Sequence, residues 1–329
     1  MIVSRTPFRV TLGGGGTDLP SYYEKFGGFI FSFGISKYMY VSVNTPAVDD
    51  YIRLKYSKSE KVQDYKKLEH EIARACLEKA NILSKIEISS IADIPAGSGL
   101  GSSSVYTVGL LNALFSHKKE YLSLKVLAEM ACEIEMDILK KPMGKQDQYL
   151  AAFSGFTVME IKKNGEVNNY QLDINESVIK ELNRNIMIFY TGKQRLNKGI
   201  LSEQDRSTKN QKKTVLDSLH YIKESGYKIL EIVKSENIHQ LGEMFDQHWQ
   251  YKKKLSSGVS NKRFDAIYDI AKKNGAQGGK ISGAGGGGFF TFYCEKNHHQ
   301  LRKAMNVEGL IELDYNFDFD GSKIVSDHT

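Results

Sequence analysis

An α+β fold in two domains is predicted by three features of the sequence. Strand-like alternation fills the first sixty residues, a charged and almost wholly helical stretch runs from 198 to 274, and β structure returns at 289–294 and 310–315. The change of pattern falls near 175–185, which divides the chain into 1–180 and 181–329. At 329 residues two domains fit the usual one per roughly 100–200 residues.

The elements follow in order. Val3–Leu12 reads as an edge-like strand interrupted by Pro7, and two further runs, Phe29–Phe33 and Tyr38–Val43, precede a fourth at Tyr51–Leu54. Residues 65–83 read as a helix and 86–91 as a strand. Two helices are expected at about 103–116 and 122–139. A hairpin follows at 156–161 and 167–172 around Lys163-Asn164-Gly165, then a strand at Ile186–Tyr190. His298 and His299 sit in a polar patch and read as turn residues. The tail from Asp318 to Thr329 is polar and offers little pattern, and no internal repeat is present.

Composition narrows the function. Hydrophobic residues at 41% and aromatics at 11% can fill true cores. The net charge of +6 suits anionic substrates without demanding nucleic acid, and no nucleic-acid module is recognisable. Lys252-Lys253-Lys254 and Lys272-Lys273 read as solvated helix faces. No apolar run is long enough to span a membrane, and Met1–Arg5 enters a strand without the pattern of a signal peptide. Cys76, Cys132 and Cys294 are isolated and read as small buried thiols of a reducing compartment. A cytoplasmic protein is expected, as a monomer or homodimer.

Chemistry is suggested first by glycine. Pro95-Ala96-Gly97-Ser98-Gly99-Leu100-Gly101-Ser102-Ser103-Ser104 lies between a strand and a helix, where unpaired backbone N–H groups can face an anion. It matches neither the P-loop nor the dinucleotide fingerprint, so a phosphate cradle and a tightly packed turn both remain open. Gly13–Gly16 before Thr17-Asp18, and Ser282–Gly288 before Phe289–Tyr293, are two more such runs. Each glycine costs about 0.5–1 kcal/mol of backbone entropy. Three runs far apart in sequence suggest one composite ligand site.

The acidic residues sort by helical phase. Glu129, Glu133 and Asp137 share one face and read as a solvated stripe, whereas Glu135 stacks with Ala131 and Leu139 on the apolar side. A carboxylate there needs a cation or donors, so a metal ligand or an ion pair with a nearby lysine is expected. Asp147, in Pro142-Met143-Gly144-Lys145-Gln146-Asp147-Gln148, opens the next element and either caps it or faces a partly closed site. Asp18 carries the same ambiguity.

Together these segments resemble the GHMP kinase family of galactokinases, homoserine kinases and mevalonate kinases. The ATP loop of that family resembles Pro95–Ser103, and its third motif resembles Ile281–Gly287. The first loop, Arg5–Asp18, is similar to that of the bacterial D-glycero-D-manno-heptose 7-phosphate kinases. Its Gly-Gly-Gly-Gly-Thr-Asp departs from the Gly-Glu-His type of galactokinase and mevalonate kinase, which disfavours galactose and mevalonate. The resemblance implies an N-terminal domain like ribosomal protein S5 domain 2 and a C-terminal domain with a ferredoxin-like core. It also implies ATP and Mg2+, with Pro95, Gly97, Ser98, Gly99, Leu100, Gly101, Ser102, Ser103 and Ser104 on the nucleotide. By position Ser103 and Glu135 would hold Mg2+, Asp147 would orient or deprotonate the acceptor hydroxyl, and Arg9 would favour the alkoxide. Gly14, Gly15, Thr17, Asp18, Gly283, Gly285 and Gly286 would shape the acceptor end. Lys145, Lys193 and Arg195 would take a distal phosphate, unless they are ordinary surface basics. The implied reaction phosphorylates the anomeric hydroxyl of heptose 7-phosphate. A free-sugar kinase, for L-fucose for example, and a non-catalytic nucleotide-binding regulator are the alternatives.

Overall fold

The computed structural model describes residues 1–192 and 199–328. β1 (Ile2–Gly13) leads to α1 (Pro20–Phe26), the long β2 (Gly28–Asn44), a hairpin of β3 (Ile52–Lys55) and β4 (Ser59–Val62), α2 (Glu71–Lys79) and β5 (Ile86–Ala92). α3 (Ser102–His117), α4 (Leu124–Cys132) and α5 (Gln146–Phe153) precede the hairpin β6 (Phe156–Ile161) and β7 (Val167–Gln171). After α6 (Glu176–Asn185) come β8 (Ile186–Tyr190), α7 (Ile200–Lys209), α8 (Lys213–Lys234), α9 (Leu241–Lys252) and α10 (Lys262–Lys273). β9 (Gly278–Ile281), β10 (Phe289–Tyr293), α11 (His298–Val307), β11 (Ile311–Glu312), β12 (Phe317–Asp318) and β13 (Lys323–Asp327) complete the chain.

Among the described residues nine strands build the first sheet. One path runs β13-β1-β2-β5-β3-β4, and β6 and β12 also pair with β2. The two runs expected at 29–33 and 38–43 are a single strand. Its first half pairs with β6 and its second with β5, while β1 accompanies both. Gly28–Ile35 is buried without alternation, because α3, α5 and α8 all pack on β1 and β2. β1 is not an edge strand. β13 covers it over Ile2–Arg5, and Pro7 falls just beyond, beside a register shift, where a missing N–H is tolerated.

The second sheet is antiparallel in the order β11-β8-β10-β9. With helices between β8 and β9 and between β10 and β11, this is the strand-helix-strand-strand-helix-strand arrangement of a ferredoxin-like core. Phe189, Phe290, Phe292 and Trp249 fill its interior. The sequence division at 180/181 assigns 317–327 to this second unit, but β12 and β13 pair in the first sheet. Their polar sequence concealed this, since Phe317 and Ile324 are only partly buried.

Other local expectations change for local reasons. The helix expected at 65–83 is a single turn at Tyr65–Lys67 and then α2, because Leu68 is extended and His70 caps α2 by accepting from the Ala73 N–H at 3.2 Å. His298 and His299 open α11 behind a left-handed Asn297. β9 carries Gly278-Gly279, a pair uncommon inside a strand. Gly278 is there for α9, since a Cβ on it would lie 1.9 Å from the Gly242 carbonyl oxygen, and one on Gly279 would lie 2.3 Å from the Phe292 ring of β10. All three cysteines are buried and unpaired.

Candidate active site

Backbone conformation makes the glycine-serine loop. Gly97, Gly99 and Gly101 all have φ between +75 and +87, where L side chains are strained, and Gly101 leads directly into α3. The Ser98 and Ser102 hydroxyls are buried with no hydrogen-bond partner among the described residues. Buried hydroxyls and the first N–H groups of a sixteen-residue helix therefore point to an anion. Leu100 belongs to the core, and Ser104 serves Glu135 instead of a ligand.

Behind the loop lies a pocket of about 480 Å³ lined by Pro95, Gly97, Ser102, Ser103, Tyr56, His70 and Tyr106 among others. The His70 ring meets Tyr56 edge-on at 4.7 Å and lies 5.0 Å from Tyr106. The Tyr106 hydroxyl is buried without a hydrogen-bond partner among the described residues. An aromatic pocket with one unused polar group suits a heterocyclic base.

In front of the loop is a second cleft, floored by the first unit and roofed by the second. Arg9 is 2% exposed and donates from Nε and Nη2 to Asp147 Oδ1 at 2.8 and 2.6 Å. Its Nη1 donates to the Gly99 carbonyl at 3.1 Å, which ties the pair to the loop. Both bonds use one carboxylate oxygen. Oδ2 has no hydrogen-bond partner among the described residues and can receive a proton from a hydroxyl in the cleft. Asp147 lies in the first turn of α5, whose cap position is Lys145, so the capping alternative does not hold. Asp18 takes that part, accepting from the Gln146 N–H at 3.1 Å and the Gly16 N–H at 3.2 Å. Burial, opposed by these N–H groups and aided by Asp147, raises its pKa to about 6. A Cβ on Gly144 would come within 2.0 Å of Asp18 Oδ2, so this glycine is needed for close approach.

Glu135 is fully buried on a wide helical turn, Glu133–Ile138, in which the Leu139 N–H reaches back to Ile134. Ser103 Oγ donates to Oε1, and Ser104 Oγ and Gln148 Nε2 donate to Oε2 at 2.6 and 2.9 Å. Burial raises its pKa despite these donors. Lys141 Nζ stands 3.2 Å from Ser103 Oγ and 3.8 Å from Glu135 Oε1, so the lysine alternative is realised here. The same oxygens fit Mg2+, which takes one or two carboxylates and completes its shell with water and substrate phosphates. Glu133 faces outward and pairs with Lys79 at 2.6 Å, as the helical phase predicts.

The other expected site residues divide. Gly15, Gly283 and Asp18 line the cleft. Gly14 instead presses on the Phe29 carbonyl, and the Thr17 hydroxyl bonds the Gly14 and Phe29 carbonyls at 2.8 and 2.9 Å. Gly13, its neighbour, lets Gly226 of α8 approach. Gly285 and Gly286 pack against Val259, Gly258 and Ile200. Lys145 points away and donates to the Gly165 carbonyl at 2.6 Å. Lys193 and Arg195 lie outside the described residues. The sequence reading missed Lys280 and His248, and it took Lys252 for a solvated lysine. All three are buried and line the cleft. A lysine inside an otherwise apolar strand, Gly-Gly-Lys-Ile, was the available signal.

A phosphoryl group held on the loop would lie between a base-sized pocket and the free oxygen of Asp147. That is the layout of a nucleotide-dependent kinase of small molecules. Models of the GHMP kinases N terminal domain and the GHMP kinases C terminal domain match residues 48–155 and 229–307. The chain is 31% identical to the D-glycero-alpha-D-manno-heptose 7-phosphate kinase of Campylobacter jejuni, over 98% of each protein. It is 26% identical to the L-fucokinase/L-fucose-1-P guanylyltransferase of Bacteroides fragilis, over 92% of this chain and 35% of that one. The structure of a D-glycero-D-manno-heptose 1-phosphate kinase from Bacteroides thetaiotaomicron superposes with a TM-score of 0.83 at 24% identity, over the whole of both chains. This chain belongs to the GHMP kinase family, and it has that family's two-domain fold.

Proposed function

We propose that this GHMP kinase transfers the γ-phosphoryl group of ATP to the anomeric hydroxyl of D-glycero-D-manno-heptose 7-phosphate, giving the 1,7-bisphosphate in the cytoplasm for activated-heptose synthesis. The observation that carries the reading is the end-to-end similarity to the Campylobacter heptose 7-phosphate kinase. The N–H groups and serine hydroxyls of the loop hold the phosphates, and Asp18 binds sugar hydroxyls. Asp147 Oδ2 orients the attacking hydroxyl and accepts its proton, while Arg9 fixes Oδ1 and offsets developing negative charge. Mg2+ held by Ser103 and Glu135 would supply charge neutralisation on the phosphates.

Similarity to the Bacteroides fragilis fucokinase supports a second reading, an anomeric kinase of an unphosphorylated sugar. A non-catalytic regulator is disfavoured because Arg9, Asp147, Glu135 and the loop are all present and connected. A panel of sugars and sugar phosphates, assayed with Mg-ATP for ADP release and for product position, tests the proposal. The heptose 7-phosphate should give the highest kcat/KM and a product phosphorylated at C1. Faster turnover of fucose or another free sugar would replace this reading with the second.

A further inference from the structure

The roof of the acceptor cleft carries a feature that the motifs do not account for. Lys280 lies on β9 and is 3% exposed. Its Nζ donates to the Leu12 carbonyl of β1, across the boundary between the two sheets, and it lies 5.2 Å from the centre of the Phe245 ring. Among the described residues only one of its three N–H donors is thereby used, and no carboxylate lies within ion-pair range. Beside it His248 is 2% exposed, with Nδ1 3.3 Å from Ser225 Oγ. Burial, Lys280 and Lys252 push its pKa well down, so the imidazole is neutral at pH 7. Lys252 Nζ is fixed on the Ile281 and Gly283 carbonyls at 2.5 and 2.6 Å. These three residues face the same cleft as Arg9, Asp18 and Asp147.

Burying an ammonium without an anion is costly, and the group responds by losing affinity for its proton. Burial alone lowers the Lys280 pKa to about 7. An anion entering the cleft would supply the missing charge and restore the proton. The first wall offers no such attraction, because the Arg9 guanidinium is already paired with Asp147. Sugar hydroxyls gain little from a buried cation, whereas a phosphate monoester gains a charge-assisted contact.

We propose that Lys280, flanked by His248, is the docking group for the phosphate at the far end of the acceptor, and that this subsite, in place of Lys145, selects phosphorylated over free sugars. This rests on the kinase reading above and deepens it. The test is calorimetric binding to wild type, Lys280→Met and Lys280→Arg, using heptose 7-phosphate, unphosphorylated heptose, inorganic phosphate and Mg-ADP separately. Loss of a charged contact should weaken heptose 7-phosphate and inorganic phosphate by about tenfold or more in Lys280→Met. Lys280→Arg should recover much of that loss, with free heptose and Mg-ADP within twofold of wild type throughout. Equal weakening of both sugars, or loss confined to Mg-ADP, would overturn the subsite.

A wild-type measurement covers the case in which the variants do not fold. Lys280 is charged below about pH 7 and neutral above it, so the KM ratio of heptose 7-phosphate to free heptose should rise between pH 6.5 and 8.5. It should do so even though the phosphate itself gains charge above about pH 6. Asp18, Asp147, Arg9, Lys252 and His248 face the same cleft, and the free-sugar KM corrects for any pH dependence that both acceptors share. A flat or falling ratio would count against Lys280. If a free sugar is the better substrate but Lys280→Met still loses phosphate, the heptose phosphate reading fails alone and the subsite stands. If heptose 7-phosphate is preferred and Lys280→Met binds it normally, only the subsite fails.

Discussion

The two walls of the acceptor cleft handle charge in opposite ways. On the first, the ionisable groups among the described residues have fixed partners: Arg9 holds Asp147, and Asp18 accepts two backbone N–H groups. On the second, Lys280 is buried against a carbonyl with no counter-ion among the described residues, and burial holds His248 neutral. A paired wall is already organised for chemistry before substrate arrives. An unpaired one becomes favourable only when an anion comes. The first should therefore govern turnover of any acceptor, and the second should govern which acceptor binds.

The strongest attempt to break this contrast is at Asp147. Asp147→Asn keeps the shape but puts an amide, which cannot accept a proton, in place of the carboxylate, so kcat should fall at least about 10²-fold. The fall should be the same for phosphorylated and free sugars, with ATP affinity within a few-fold by equilibrium binding. A loss of turnover that depends on the acceptor's phosphate would show that the walls do not divide the work.

How much of each wall could be read in the sequence follows from the same difference. Arg9, Asp18, Glu135 and Asp147 sit beside glycines, prolines or a break in helical phase, so local pattern exposes them. Lys252 is hidden among Lys253 and Lys254, and Lys280 within a short strand, because their burial is set by contacts between β9, α9 and β1 that no local window contains. The glycine runs were over-read for the same reason. Gly13 and Gly14 look like ligand glycines but provide room for α8 and for the Phe29 carbonyl. Sheet order, strand breaks and the return of β12 and β13 to the first sheet are likewise long-range pairings, while most helices and the larger strands were visible from periodicity.

Glu135 and Glu133 give a second contrast, between a buried carboxylate tied to the loop and an exposed one. Glu135→Gln should weaken Mn2+ binding, followed by its paramagnetic signal with ATP bound, and raise the Mg2+ needed for half-maximal rate by about 10-fold or more. Glu133→Gln removes only a surface pair with Lys79 and should change both by less than twofold. Comparable effects from the two would mean that the buried Ser103–Glu135 cluster is a structural tie, with Lys141 as its permanent partner.

A smaller effect, spread over a pH range, comes from Asp18. Its pKa is raised to about 6, so the carboxylate is ionised above that pH and neutral below it. kcat/KM for sugars should therefore decline as pH falls through about 6. Asp18→Asn should lower the plateau and remove that acid limb. An acid limb of unchanged midpoint in the variant would assign it to another group.

The mildest expected effects compare three consecutive lysines that the sequence treats alike. Lys252 crosslinks the Ile281 and Gly283 carbonyls, whereas Lys254 covers the Tyr251 ring at 4.4 Å and Lys253 pairs with Asp265 at 3.7 Å. Lys252→Met leaves two carbonyls without their donor and removes a cation from the roof, so the acceptor KM should rise about three- to tenfold. Thermal stability should fall measurably as the 281–283 turn loosens. Lys254→Met removes an exposed contact, and Lys253→Met a half-buried pair and a distant contact with Trp249, so stability should stay within about 0.5 kcal/mol and KM within twofold. If the variant at Lys252 behaves like the other two, the turn is held by its backbone pairing to β10 alone. The roof would then owe its charge to Lys280 without help, which makes the acceptor preference hinge on a single residue.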